Sequence, residues 1–392
     1  MTSGSETGHI IRFALPLLGG NLLQQTYNIA DTLIVGRVLG DDALAAVGAT
    51  GSITYLFYTL CIGLSIGAGV IIAQLFGAGD IKRMRSAVFN SAVVTAIFGL
   101  VISIIGVIAA RSVLTMLNVP AKLIDDSSAY MRIACGGTLA VAAYNWINSV
   151  MRALGDSKTP LIFLGTASIM NVLLDIFFVI VLKTGVEGAA WATVLAQGFS
   201  AAACILYSFG RNESLRLSRS DIKADSDMMA RCVSMGVPIA LQNGLISVSM
   251  VALQRVTNGF GETVMAAYTV SMRIEQFVQQ PFSSLNAAVS TFTGQNIGAG
   301  KEERAVRGLR SALTISVIFA FAVLALFAAF GRYIAGWFVT GSEVISIASK
   351  AVVITAAFYW SLGAIHTTRG FLNGTGDTGY ALVNGLAEVI CR

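Results

Sequence analysis

"NIADTLIVGR", residues 28–37, places Asp31 inside an apolar run that begins near Ile10. An ionised carboxylate in hydrocarbon costs roughly 3 kcal/mol on insertion scales. Such a residue persists where it faces a protein interior or a wet cavity, so the run reads as a membrane helix with one polar face. The composition agrees. Of the 392 residues, 55% are hydrophobic and 12% charged, against about 25% charge in a soluble globular chain. The 40 glycines suit closely packed membrane helices. The net charge of +5 needs no nucleic acid to explain it, because basic residues collect in loops on one side of a membrane, and no basic run is interleaved with aromatics. The five cysteines are scattered without a CxxC spacing and read as packing residues. The first nine residues are polar and lack a basic n-region, so no cleavable signal peptide is expected.

Apolar runs predict ten membrane helices, near 11–36, 43–76, 86–110, 127–151, 160–182, 187–210, 235–258, 263–297, 305–330 and 345–372. The following "YALVNGLAEVI", 380–390, is shorter than the ~20 residues a crossing needs. The expected fold class is an all-α polytopic membrane protein. Basic residues concentrate in alternate loops: Lys82, Arg83 and Arg85, then Arg152 and Lys158, then the runs over 211–231 and 301–310. Those loops, and the N-terminus with them, are expected in the cytoplasm, with the chain in the inner membrane. The 3–4 connection, "RSVLTMLNVPAKLIDD" at 111–126, is expected to lie flat on the opposite surface.

The chain also repeats itself. "QLFGAGD" at 74–80 matches "QNIGAGK" at 295–301, and "ALGDS" at 153–157 matches "GTGDT" at 374–378, both at a shift of 221. Pro16 and Asn21 match Pro238 and Asn243 at 222. Six spans in the first half, an even number, give its copy the same orientation, so the halves form a parallel repeat around a central cavity. The expected organisation is an amino-terminal lobe over 1–210, a charged cytoplasmic linker over 211–234 and a carboxy-terminal lobe over 235–392. The repeat would carry the second lobe to about residue 430, so it is expected two helices short, with helices 7–10 and a stub of helix 11.

A two-fold repeated polytopic chain with intramembrane acids reads as a secondary transporter. Asp31 and Asp175 are the acids of the first half, and Asn171 lies four residues before Asp175, on the same helical face. Two carboxylates in a low dielectric repel, and a proton or sodium ion relieves the repulsion. That is one reading; a static hydrogen-bonded network tying helices together is the other. In "RIEQFVQQP", Arg273, Glu275 and Gln279 are candidates for the substrate cavity, with purely structural pairing as the alternative for Arg273 and Glu275. His366 reads as an interior histidine. Two enzyme signatures fail on context: "GLSIG" at 63–67 sits inside a glycine-rich span rather than at a strand–helix elbow, and "GTGDTG" at 374–379 follows no strand. No HExxH, P-loop or zinc spacing is present. Neither catalysis nor a cofactor is expected.

"PLLGGNLLQQTYNIADTLIVGRVLGDDALAAVG", "QLFGAGD", "MRALGDSKTP" and "GQNIGAGK" together resemble the multidrug and toxic compound extrusion (MATE) family, from about Pro16 to the end of the chain. The resemblance implies an antiporter of two six-helix lobes that exports organic cations and other amphipathic drugs in exchange for H+ or Na+. It implies coupling at Asp31, Asn171 and Asp175, where a sodium ion would bind, with Tyr130 and Thr193 completing the network and Pro16 bending the first helix. The seventh span, "LQNGLISVSMVALQRV", lacks the acid that some members carry there, which shifts the ion site to the amino lobe. Small amphipathic or cationic molecules and membrane lipid are the implied partners of a monomer. Arg132, Arg255 and Arg273 set against Asp31, Asp175 and Glu275 favour cationic cargo, in an apolar cavity of Met and aromatic residues. A flippase for lipid-linked precursors, which needs a basic cavity, and an inactive truncated remnant are the competing readings.

Overall fold

Ser5 caps the first helix, its hydroxyl accepting from the Gly8 amide, and α1 then runs unbroken over Glu6–Leu39 with Pro16 inside it. The computed structural model describes residues 1–218 and 221–391. After α1 come α2 (Asp41–Gly77), α3 (Ile81–Met116), α4 (Ile124–Gly136), α5 (Thr138–Ala153) and α6 (Lys158–Asp175). The last continues as a π-helical segment, Ile176–Val181. Then follow α7 (Gly185–Arg211), α8 (Ser226–Asn258), α9 (Glu262–Gly298), α10 (Glu302–Gly336), α11 (Ser342–Ala356), α12 (Tyr359–Thr375) and α13 (Thr378–Cys391). Among the described residues no strand occurs.

Two predicted spans are each broken. The fourth divides into α4 and α5 at Gly137, where Val194 of α7 occupies the space a side chain would need. The tenth divides into α11 and α12, bent by 50°. The segment expected to lie flat is divided between the last turns of α3, which runs to Met116, a connection at 117–123 and the first residues of α4. By length and composition alone, five helices are apolar enough to cross a membrane among the described residues, six if α11 and α12 count as one span. The ten apolar runs exceed that number for a physical reason. α1 carries Asn21, Gln24, Gln25, Asn28 and Asp31, and α9 carries Gln279, Gln280, Ser283 and Asn286. These polar faces turn inward and lower the mean hydropathy of helices that are long enough.

Divided by chain order into two sets, α1–α7 and α8–α13, the helices meet across that division along α1–α9, α2–α8 and α2–α9, with α2–α8 the most extensive helix pairing among the described residues. One end of the molecule holds the α2–α3, α5–α6, α7–α8 and α9–α10 connections and most loop lysines and arginines. At this basic end the two sets are in closest contact. A methyl group at Gly67 would fall 2.6 Å from the Gly236 backbone, and one at Gly63 would overlap Ala240. The repeated motif lies at the same seam and its two copies meet. A methyl at Gly77 would overlap the Gln295 carbonyl, and one at Gly298 the Gln74 carbonyl. Gln74 Nε2 donates to Gly374 O (3.0 Å) and Gln295 Nε2 to Ala153 O (2.7 Å). Donors and acceptors are each 221 residues apart, so the repeat is a reciprocal pair of bonds across the seam.

The connection between the sets is ordered at both ends. Arg85 of α3 donates to Glu213 O (2.8 Å) and Ser214 O (3.0 Å), and Leu215 is fully buried. Asp225 caps α8, which starts well before the predicted 235. The largest apolar cluster, around Ile71, Met84, Trp146 and Met151, lies beneath this connection, with Trp146 Nε1 donating to Ser91 Oγ (2.9 Å).

Candidate functional site

The inward polar faces of α1, α5 and α9 enclose a cavity of about 870 Å³, large enough for a drug-sized molecule. Above the basic-end seam, α1 contributes residues from Pro16 to Asp31, α5 from Val141 to Ala153, and α9 from Gln279 to Thr291. Carboxamides recur around the wall, among them Asn21, Gln24, Asn28, Asn148, Gln197 and Gln280. Five tyrosines join them: Tyr27, Tyr55, Tyr58, Tyr130 and Tyr144. Among the described residues no Met, Phe or Trp lines it. The expectation of an apolar cavity with Met and aromatic residues holds for the aromatics, which are tyrosines, and is corrected for Met; aliphatic side chains such as Leu17, Ile62, Ile66 and Leu161 share the wall with the carboxamides.

On the first set of helices the cavity borders a carboxylate pair. Asp31, half-buried on α1, lines the wall, and Asp175, fully buried at the end of α6, lies behind it within hydrogen-bonding reach. With both ionised, no donor reaches Oδ1 of Asp31 or either carboxylate oxygen of Asp175. Asn171, one turn before Asp175, donates to Thr193 Oγ1 (3.3 Å), and its own Oδ1 is also without a donor. These oxygens from α1 and α6 form an acceptor-rich, donor-poor cluster. Burying such oxygens without a proton or cation is costly.

The structure brings Asp31, Asp175, Asn171 and Thr193 together. Tyr130 of α4 lines the cavity and packs against the apolar cluster of Val35 and Val186. Gln279 also lines it, with Nε2 3.4 Å from Glu275 Oε1. Pro16 lines it too, as does His366, whose ring stacks on Phe282 at 6.3 Å. Glu275 and Arg273 do not line it: Glu275 is half-buried and Arg273 exposed. Neither Arg132 nor Asp175 reaches the wall, and the side chain of Arg255 lies outside the described residues. The charge balance that favoured cationic cargo is thus not the balance of the wall, where Asp31 and Arg152 are the side chains with formal charge. The two rejected enzyme signatures are helical: Ser65 lies inside α2 and donates to Cys61 O (2.9 Å), and Gly376 is the left-handed cap of α12.

Four features were missed. Tyr27 and Gln197 line the wall beside the acids; Gln197 is a single polar residue in an apolar run, and Tyr27 is one of several polar residues on α1. The π-helical turn directly after Asp175 has no sequence signature, though such segments gather at functional sites. Arg152 was assigned to a loop, but it is the penultimate residue of α5 and lines the cavity.

A large cavity lined by tyrosines, carboxamides and aliphatic side chains between membrane helices, with buried acids beside it and no enzyme motif in a workable context, is the architecture of a membrane transporter. The chain belongs to the MatE family, whose model matches residues 16–177 and 238–391, one match in each half of the repeat. It is 29% identical over 388 residues to "Probable multidrug resistance protein YpnP" of Bacillus subtilis (strain 168), covering 98% of this chain and 86% of that protein. It is 22% identical to the "FAD transporter" of Shewanella oneidensis, covering 97% and 85%. Among solved structures it is similar to a MOP superfamily transporter from Pyrococcus furiosus described as having a binding pocket of reverse polarity. There the TM-score is 0.92 at 24% identity, over 99% of this chain and 86% of that one. A multidrug resistance MATE transporter in an outward-facing conformation matches with a TM-score of 0.91 over 98% and 86%.

Proposed function

We propose that this chain is a secondary antiporter that exports small amphipathic organic molecules, drugs and organic cations among them, in exchange for H+ or Na+. The observation that carries this reading is the Asp31–Asp175 pair, bordering the cavity with its oxygens short of donors. A proton or a sodium ion completes that cluster, with Asn171 and Thr193 as neutral ligands or relays and Tyr130 walling the site. Loading and unloading the pair changes how tightly α1 and α6 are drawn together. α1 is the helix that couples this change to the cavity, and Pro16, which cannot donate to the preceding turn, is where it bends.

In this reading residues 1–210 and 235–392 are two lobes of a parallel repeat joined by 211–234. Ten spans cross the inner membrane of a monomer: α1, α2, α3, α4 with α5, α6, α7, α8, α9, α10, and α11 with α12. α13, of 14 residues, is too short to cross by itself. The basic end, with the N-terminus, faces the cytoplasm. The sealed seam there makes this the outward-facing state. Gln279 contacts cargo, whereas Glu275 and Arg273 lie off the cavity wall. A flippase for lipid-linked precursors calls for several basic residues in the cavity, and the wall offers one, Arg152.

The test is export of a fluorescent aromatic dye from liposomes containing the purified chain. A proton gradient is imposed at equal sodium, then a sodium gradient at equal pH. One of the two should drive net dye movement. If neither does, the antiport reading fails.

A further inference from the structure

One face of α5 forms a continuous part of the cavity wall: Tyr144, Asn145, Asn148, Ser149 and Arg152 recur at helical spacing along it. The face is graded, with a phenol ring first, carboxamides next and a guanidinium last. Helical side chains lean towards their own N-terminus, which on α5 points away from the basic end and into the cavity. Arg152 follows that direction. Its Nη2 donates to Ser149 Oγ one turn back, at 3.1 Å. Among the described residues it makes no ion pair, whereas Arg85, Arg111, Arg304 and Arg307 each have a carboxylate partner. Asp156, the nearest acid along the chain, accepts instead from the Lys158 and Thr159 amides and the Thr159 hydroxyl. A guanidinium facing the cavity without an ion-pair partner carries strong, directional donors for an anion, and its planar fork fits two oxygens at once.

We propose that Arg152, with Ser149 and Asn148 beside it, is a subsite for an acidic group on the cargo, a carboxylate or a phosphate. The aromatic, hydrogen-bonding body of that cargo lies against Tyr144 and the carboxamides of α1 and α9. The preferred substrates are then acidic or zwitterionic aromatic molecules rather than lipophilic cations. This rests on the reading of the cavity as the transport path and narrows its substrate class.

The test is equilibrium dialysis of the purified full chain in detergent against three probes of equal ring size: 1-naphthyl phosphate, 1-naphthoate and 1-naphthylmethylammonium. At least one of the acids should bind about tenfold or more tightly than the ammonium probe. Whichever acid binds tighter identifies the group. Arg152→Gln should abolish the preference, and Arg152→Lys, which keeps the charge but loses the fork, should retain part of it. An ammonium probe bound as tightly as both acids by the unaltered chain overturns the proposal, with no variant needed. So does a folded Arg152→Gln protein with the preference intact. Acid binding lost in Arg152→Gln while no gradient drives dye export would leave this subsite standing and remove the antiport reading. Dye export without any preference for acids would do the reverse.

Discussion

The reciprocal glutamines offer a quantitative handle on the sealed seam. Gln74 and Gln295 each place one hydrogen bond across the two sets of helices, at 3.0 and 2.7 Å. A neutral hydrogen bond contributes about 1 kcal/mol net. Gln74→Ala or Gln295→Ala should therefore favour the form open at the basic end by about fivefold, and the double variant, at about 2 kcal/mol, by about thirtyfold. If the open form starts at one part in a hundred, the double variant carries it to roughly a quarter of the population. Spin labels at Arg83→Cys and Glu303→Cys, exposed just beyond the two motif copies, would report the separation as a distance distribution. The described native cysteines, Cys61, Cys135, Cys204 and Cys232, are buried and free. A double variant with the same distance distribution as the unaltered protein would refute the idea that these bonds hold the end closed.

Two further predictions test packing and charge. Gly298→Ala would drive a methyl into the Gln74 carbonyl and should lower thermal stability by about 1–3 kcal/mol. Gly48→Ala, with nothing within 4 Å of the added carbon, should be neutral or stabilise α2 by up to about 1 kcal/mol; equal melting temperatures for the two would contradict the close approach. In the 212–225 connection, the amide and hydroxyl of Ser218 donate to Asp221 Oδ2 (2.8 and 2.9 Å). These bonds, and the Arg85 charge at 4.0 Å, hold the Asp221 carboxyl below its ordinary range. A carboxyl lowered in the folded state stabilises it above its unfolded value and stops doing so as pH falls through the folded one. Amide-exchange protection of this segment should therefore drop below about pH 4, and Asp221→Asn should remove the drop. Protection that is flat with pH in the unaltered protein would sink the assignment.

How much of this was readable beforehand depended on whether a residue broke its local pattern. Asp31 and Asp175 stood out because charge in an apolar run is expensive, and the structure brings them together. The motif copies at Gln74 and Gln295 were legible as a repeat; that each copy packs on the other is a property of the symmetry axis, not of either segment. Arg152 was hidden by position. A basic residue at the end of a span is indistinguishable from a loop charge until the direction of its helix and the depth of the cavity are known. Glu275 and Arg273 erred the other way, because a polar residue on a long helix does not declare which face it occupies. The close approach of Val194 to Gly137, at the break in the fourth span, is a contact with another helix that the local sequence does not announce.

The measurement closest to the central claim compares ion-driven export by the unaltered chain with that by Asp31→Asn and Asp175→Asn in liposomes. Binding of the same dye to each purified protein is measured alongside. If the acid pair is the coupling site, both variants should bind dye within a few-fold of the unaltered chain and lose export driven by the proton or sodium gradient. Export by either variant at the unaltered rate would show that the pair is a structural tie, and the coupling site would have to lie elsewhere.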